Sequence, residues 1–281
     1  MNKNTIYNED CMTTMDNMVN DSMNVDIILT SPPYNTGRVS SSQKWRDSYQ
    51  GKYDVHVDNM TQEEYIKYSI NIFNNFDKIL AKDGVVLYNM SYGSDNTMNT
   101  ASIGLMWLVI GEIIKNTSFT VCDRIIWKKR SALPNNTSPN KLTRIVEDVF
   151  VFVRKEELKT FHCNKKVKSI RKDRPTQKYY ENIFNYIEAP NNDEKCPYNK
   201  ATYSSDLCEK LLKIYAKENS IVYDPFIGTG TTAIACVSLG LDYIGSEISE
   251  NQCIWAKKRI TSYMEEIKNN AANKDVSNNI K

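Results

Sequence analysis

Two short segments, far apart in the chain, carry residue types that could do chemistry. Asp224-Pro225-Phe226-Ile227-Gly228-Thr229-Gly230-Thr231-Thr232 is a glycine-rich turn that runs on into the helical composition of Ala233 to Cys236. Glycines let backbone N–H groups approach a ligand, and a new helix offers unpaired donors with positive dipole character. The turn alone is compatible with a plain strand-to-helix connection and with a dinucleotide site. Two features narrow it. The third glycine of the dinucleotide fingerprint is absent, with Ile234 near its place. An acid, Glu247, ends the next strand candidate about 20 residues on, where it can hold both hydroxyls of a ribose. No Gly-Lys-Ser/Thr follows, so a phosphate loop is excluded and a nucleoside cofactor fits.

The second segment is Thr30-Ser31-Pro32-Pro33-Tyr34-Asn35. Neither proline has an N–H to pair, so a central strand must stop there. The stiffened turn leaves main-chain carbonyls, a hydroxyl and the flat face of Tyr34 beyond the strand end. Metal chemistry has little to work with. The two histidines are His56 and His162, and His162-Cys163 lacks a second ligand pair at zinc spacing, so no metal is expected.

Both segments follow apolar runs, Val25 to Leu29 and Ser220 to Tyr223, that read as buried strands. Strand and helix patterns alternate along the chain. Thr5 to Tyr7 precedes a helical stretch to Met18, and Gln62 to Leu80 has apolar residues at helical spacing. Lys82-Asp83-Gly84 is expected to close that helix, with Gly84 as its C-cap, before the strand Val85 to Tyr88. Ile103 to Ile114 reads as a buried helix. Phe119 to Trp127 and Val146 to Val153 read as β-rich runs, separated by a Pro/Asn-rich loop over 133–140. Ser205 to Ala216 and the stretch from Thr232 to Leu239 are helical, Tyr243 to Gly245 is a strand, and 251–267 is a last helix. This repetition indicates an α/β fold, doubly wound, with a mostly parallel sheet and helices on both faces. In such sheets ligands gather outside the carboxyl ends of strands, so the two special strand ends should share one crevice.

The 281 residues suffice for one large core. Lys and Arg total 36 against 34 Asp and Glu, so partners must be sought in local charge. The stretch 154–198 is dense in cations, including Lys165, Lys166, Arg171 and Arg174, with Tyr179, Tyr180 and Tyr186 among them. That mixture favours nucleic acid over a merely solvated face. Arg38, Trp45, Arg46 and Lys129 are further candidates for DNA contact. Seven scattered cysteines without a C-x-x-C pair indicate reduced thiols and a cytoplasmic setting. No run approaches a membrane span. Residues 268–281 read as a polar, disordered tail.

With these segments in place, the chain resembles the amino-group DNA methyltransferases that use S-adenosylmethionine. The order of the two segments resembles the permuted β-group of that family, over roughly residues 5 to 262. The resemblance implies a seven-stranded Rossmann-like methyltransferase fold. Its core is divided into a catalytic half (1–153) and a cofactor half (199–267), around a target-recognition insertion (154–198). It implies catalytic roles for Ser31, Pro32, Pro33 and Tyr34. It implies cofactor contacts from Asp10, Thr30, Asp224, Phe226, Gly228, Thr229, Gly230, Thr231, Thr232, Tyr203 and Glu247. The segment Asn199 to Tyr203 resembles the one that packs around the methionine moiety, although the family commonly has His where this chain has Asn199.

The chemistry suits these residues. An exocyclic amine is a poor nucleophile because its lone pair is delocalised into the ring. Acceptors for both amine hydrogens, the Ser31 hydroxyl and the Pro32 carbonyl, favour a pyramidal nitrogen, and orientation does most of the work. Tyr34 would stack on the base, which must be flipped out of the duplex. In the family, Ser at the position of Ser31 accompanies cytosine N4 methylation more often than adenine N6. The expectation is therefore a cytosine-N4 methyltransferase, with adenine N6 as the alternative. Its partners would be double-stranded DNA and a cognate restriction endonuclease, as a monomer or homodimer. From other classes, an NAD-dependent oxidoreductase and a catalytically silent DNA-binding protein remain open.

Overall fold

The computed structural model describes residues 1–35, 60–91, 103–132, 139, 142–199 and 202–278. In chain order its elements are β1 (Thr5–Tyr7), α1 (Cys11–Asn20), β2 (Val25–Thr30), α2 (Gln62–Ile79), β3 (Leu80–Met90) and α3 (Ile103–Asn116). They continue with β4 (Phe119–Lys129), β5 (Val146–Arg154), β6 (Val167–Ile170), β7 (Lys178–Tyr180) and β8 (Tyr186–Ala189). The last are α4 (Ser205–Tyr215), β9 (Ile221–Asp224), α5 (Thr231–Leu239), β10 (Asp242–Ser246) and α6 (Glu250–Asn278).

One sheet has the order β1-β10-β9-β2-β3-β5-β4-β8. Its pairings are parallel except β3 with β5 and β5 with β4. Strand side chains alternate between faces, and both faces are buried, which is why the central strands are continuously apolar. In β2, Ile27 and Leu29 join the core under α4 and α5, with Leu207, Leu211, Ile234 and Ala235. Val25 and Ile28 join the opposite core under α1, α2 and α3, with Met15, Phe73, Phe76 and Val109.

Local signals set the helix ends. Asp10 caps α1 by accepting from Met12 N at 2.8 Å. Thr61 and Glu64 form a reciprocal capping box at the start of α2. At its other end Arg154 donates to the carbonyls of Asp77 (2.9 Å), Leu80 (2.7 Å) and Ala81 (3.1 Å), satisfying acceptors that a helix terminus leaves open. Arg154 also pairs with Asp77 and Glu157. This cation, counted from sequence within the basic stretch, is thus an internal tie.

Four expectations change. The helix α2 ends at Ile79 with Leu80 as C-cap, and the left-handed residue is Asp83 (φ 60°) rather than Gly84. The strand β3 begins at Leu80, so no gap separates it from the helix. The sheet has eight strands where seven were expected, because Tyr186–Ala189, inside the stretch read as insertion, pairs with β4. Its signal is a short alternation, exposed Tyr186 and Glu188 against buried Ile187 and Ala189, embedded in a polar region. Residues 268–278 extend α6 instead of forming a disordered tail; no Gly or Pro interrupts the run from Glu250. The expected 133–140 loop lies largely outside the described residues. Among those described, no helix is long and apolar enough to cross a membrane.

Candidate active site

The two chemically special strand ends belong to neighbouring strands. Parallel pairing of Ile27 with Val222 and Ile28 with Tyr223 brings Thr30-Ser31 beside Asp224-Pro225. The Thr30 hydroxyl donates to Asp224 Oδ1 at 2.8 Å, tying the ends together. Above them opens a cleft of about 830 Å³, counting its mouth. Its lining includes Ser31 and Pro33 from the first strand end together with Asp10, Tyr203, Phe226, Gly228, Thr229, Thr231 and Glu247.

Asp224 itself lies behind that lining. It is 1% exposed and accepts from Thr232 Oγ1 at 2.6 Å, Thr30 Oγ1, Phe226 N at 3.0 Å and Tyr203 Oη at 3.1 Å. Burial pushes its carboxyl above the usual range, while these hydrogen bonds pull it back. The carboxylate shapes the turn. Thr30, Thr232 and Gly230 are likewise absent from the lining and sit in the turn's support. Gly228 (φ 52°) and Gly230 (φ 82°) both adopt the left-handed conformation that costs other residues energy. Their surroundings differ. A Cβ on Gly228 would stand 3.1 Å from Asn199 Nδ2, at the cleft; one on Gly230 would stand 3.0 Å from Ala256 Cβ, against α6.

Glu247, at the end of β10, spreads its carboxylate between Gly228 N (3.0 Å) and Ser249 N (2.9 Å). Asn8 donates to the Glu247 carbonyl at 2.8 Å, which brings the Asn8-Glu9-Asp10 segment to the same wall. Asn199 donates to Gln252 Oε1 at 2.9 Å, and both line the cleft. Cys11 lies there too; burial, then Asp10, pushes its thiol up to about 12, so it stays protonated at neutral pH.

A polar network continues from Ser31 along the strand ends. Ser31 Oγ is 2.6 Å from Tyr34 Oη, and Tyr34 donates to Asn89 Oδ1 at 2.9 Å, with Glu147 Oε2 at 3.5 Å. Pro33 O accepts from the Tyr65 hydroxyl at 2.8 Å. Asn89 comes from the end of β3, which runs parallel to β2, and Glu147 from the start of the antiparallel β5, so both reach the same rim. Sequence reading missed Asn89, Glu147 and Gln252. The strand-end rule that selected Ser31 applies equally to Asn89, which directly follows the expected strand Val85 to Tyr88.

Residues 25–258 match the N6/N4 methyltransferase family model, described as DNA methylase. The chain belongs to this family. It is 25% identical over 261 residues to the Type II methyltransferase M.BglII of Bacillus subtilis, covering 88% of this chain and 66% of the relative. It is also 25% identical to the orphan methyltransferase M.BamHII of Bacillus amyloliquefaciens, over 85% of this chain and 90% of the relative. Among solved structures, the PvuII DNA methyltransferase (cytosine-N4-specific) has the same fold at a TM-score of 0.65 and 16% identity, covering 96% of this chain and 94% of the other. The M1.HpyAVI–SAM complex matches at 0.58 and 21% identity, over 91% and 98% of the two chains.

In this family member the expected DNA contacts fall into three groups. Lys129 is ion-paired with Glu147 and lies 4.8 Å above the Trp127 ring, so its charge belongs to the rim of the site. Lys165, Lys166, Arg171 and Arg174 are all exposed, on and beside the β6–β7 hairpin; Arg171 pairs with Asp173 at 2.7 Å. Arg38, Trp45 and Arg46 lie outside the described residues. Among the described residues, no group of three His, Cys, Asp or Glu is placed to hold a metal.

Proposed function

We propose that this DNA methylase moves the methyl group of S-adenosylmethionine to an exocyclic amine of a flipped-out base, at cytosine N4. The observation that carries the reading is that one cleft is lined by Ser31 and Pro33 together with Gly228, Phe226 and Glu247. The donor set suits a nucleoside carrying an amino-acid chain. Glu247 offers two carboxylate oxygens for ribose hydroxyls, Phe226 an apolar face, and Asp10 an acceptor at the same wall. A Cβ on Gly228 would crowd the Asn199 and Gln252 side chains that line the cleft. When bound there, the cofactor supplies a methyl group on a positively charged sulfur.

The chain's own residues prepare the amine. Ser31 Oγ and the Pro32 carbonyl accept its hydrogens, so that the nitrogen lone pair is freed for attack. Orientation replaces a protein nucleophile. A neutral hydroxyl in place of a carboxylate supports cytosine, and the PvuII methyltransferase, which shares the fold, is cytosine-N4-specific. The exposed cations of the β6–β7 hairpin would contact phosphates, supplying affinity without sequence information. A restriction–modification setting, with a cognate endonuclease, is part of this proposal. Protein incubated with methyl-labelled cofactor and unmethylated DNA is expected to yield labelled 4-methylcytosine on digestion. Label only in 6-methyladenine would overturn the choice of base, and no label in DNA would overturn the activity.

A further inference from the structure

We propose that Asn89 is a positioning residue that makes Ser31 a hydrogen-bond acceptor. The inference rests on the amine-methylation reading above. A serine hydroxyl can donate or accept, and only an acceptor helps an amine that presents hydrogens. Something must therefore commit the Ser31 proton elsewhere.

The geometry does so through a relay with one possible polarity. Asn89 is buried (2% exposed), and its Nδ2 donates to the Asp148 carbonyl at 3.2 Å. A carbonyl can only accept, so the amide group must face it, which turns Asn89 Oδ1 toward Tyr34. That oxygen lies 2.9 Å from Tyr34 Oη and cannot donate. The phenol has a single proton, and it goes to Asn89. Glu147 Oε2, at 3.5 Å, is a second acceptor on the phenol, and Lys129 holds that carboxylate in place. With the Tyr34 proton so committed, the 2.6 Å contact between Ser31 and Tyr34 must carry the serine proton toward the phenol oxygen. The remaining lone pairs of Ser31 Oγ are then available to the target amine. Removing the Tyr34 hydroxyl frees the serine to point its proton at the amine, where two donors would meet; removing Asn89 Oδ1 leaves the Tyr34 proton the longer contact with Glu147 at 3.5 Å, and so loosens the polarity of the relay.

The test is a double-mutant cycle on turnover, with methyl-labelled cofactor and unmethylated genomic DNA, and cofactor Kd from calorimetry alongside. Asn89→Leu and Tyr34→Phe are each expected to lower turnover about tenfold, equivalent to about 1.4 kcal/mol of barrier, with cofactor Kd unchanged. Ser31→Ala should then cost far less in either background than in the parent, because the acceptor is already missing. Additive losses, or a Tyr34→Phe variant that turns over like the parent, would overturn the relay. Tyr34→Phe keeps the ring, so the cycle stays readable if Asn89→Leu fails to fold. A parent that labels no DNA counts against the methylation reading; an active parent with an additive cycle counts against the relay alone.

Discussion

Asp224 shows how a charged residue can shape a cleft without lining it. Buried behind the glycine turn, it gathers Thr30, Tyr203, Thr232 and the Phe226 N–H around one carboxylate. Its importance was legible in the sequence, but its position was not: an Asp opening a turn reads equally well as a ligand contact or as the turn's support. Because burial raises its folded-state pKa, its titration contributes stability that is fully present below the unfolded value and lost as pH rises through the folded one. Asp224→Asn removes that titration while imposing a roughly constant loss of hydrogen bonding. Thermal unfolding from pH 4 to 7 should therefore show the variant less stable throughout, with the gap to the parent narrowing as pH rises. A gap that widens would mean that the carboxylate is stabilised by its donors more than burial penalises it.

The glycine turn and α6 illustrate what an element adds. Gly228 and Gly230 look alike in sequence, yet one faces the cleft and the other faces Ala256. Alanine at either costs about 1–2 kcal/mol in left-handed strain. Gly228→Ala is expected to weaken cofactor binding beyond that, since the new methyl crowds Asn199 and Gln252 in the lining. Gly230→Ala should lower the melting temperature more, by pressing α6 away, and leave cofactor Kd closer to the parent's. Calorimetric titration and thermal melts on both variants separate the two. Arg259 of α6 grips the same turn from outside, donating to the Thr229 carbonyl at 3.1 Å and pairing with Asp193 and with Glu194 at 2.8 Å. It thereby joins the glycine turn to the chain leaving the basic stretch. Nothing local marks it out: three of its partners lie far away in sequence, and only the docking of α6 brings them together.

Across the molecule, the basic stretch separates into parts with different work. Arg154 locks the end of α2 and Tyr186–Ala189 extends the sheet, whereas β6 and β7 stand clear with every residue exposed. Replacing Lys165, Lys166, Lys168 and Lys172 with Ser should weaken DNA binding to a similar degree for unrelated sequences. It should also flatten the dependence of log K on log salt by about 0.9 for every phosphate that is no longer neutralised. The melting temperature should change little. Titrations at several salt concentrations would check this; an unchanged slope would remove the hairpin from the DNA interface.

Composition and periodicity determined the alternation of strands and helices and hence the fold class, because the side-chain repeat of each element is local information. The two strand-end segments, their order and the acid at Glu247 likewise stood in the sequence, because turn chemistry depends on a few adjacent residues. Adjacency was decided by tertiary structure. Strand order put β9 beside β2, so that Ser31 and Gly228 line one cleft, and antiparallel β5 delivered Glu147 to the rim beside Asn89. Hydrogen bonds between residues 55 and 113 positions apart, which set the polarity of Tyr34, exist only once the sheet has closed those distances.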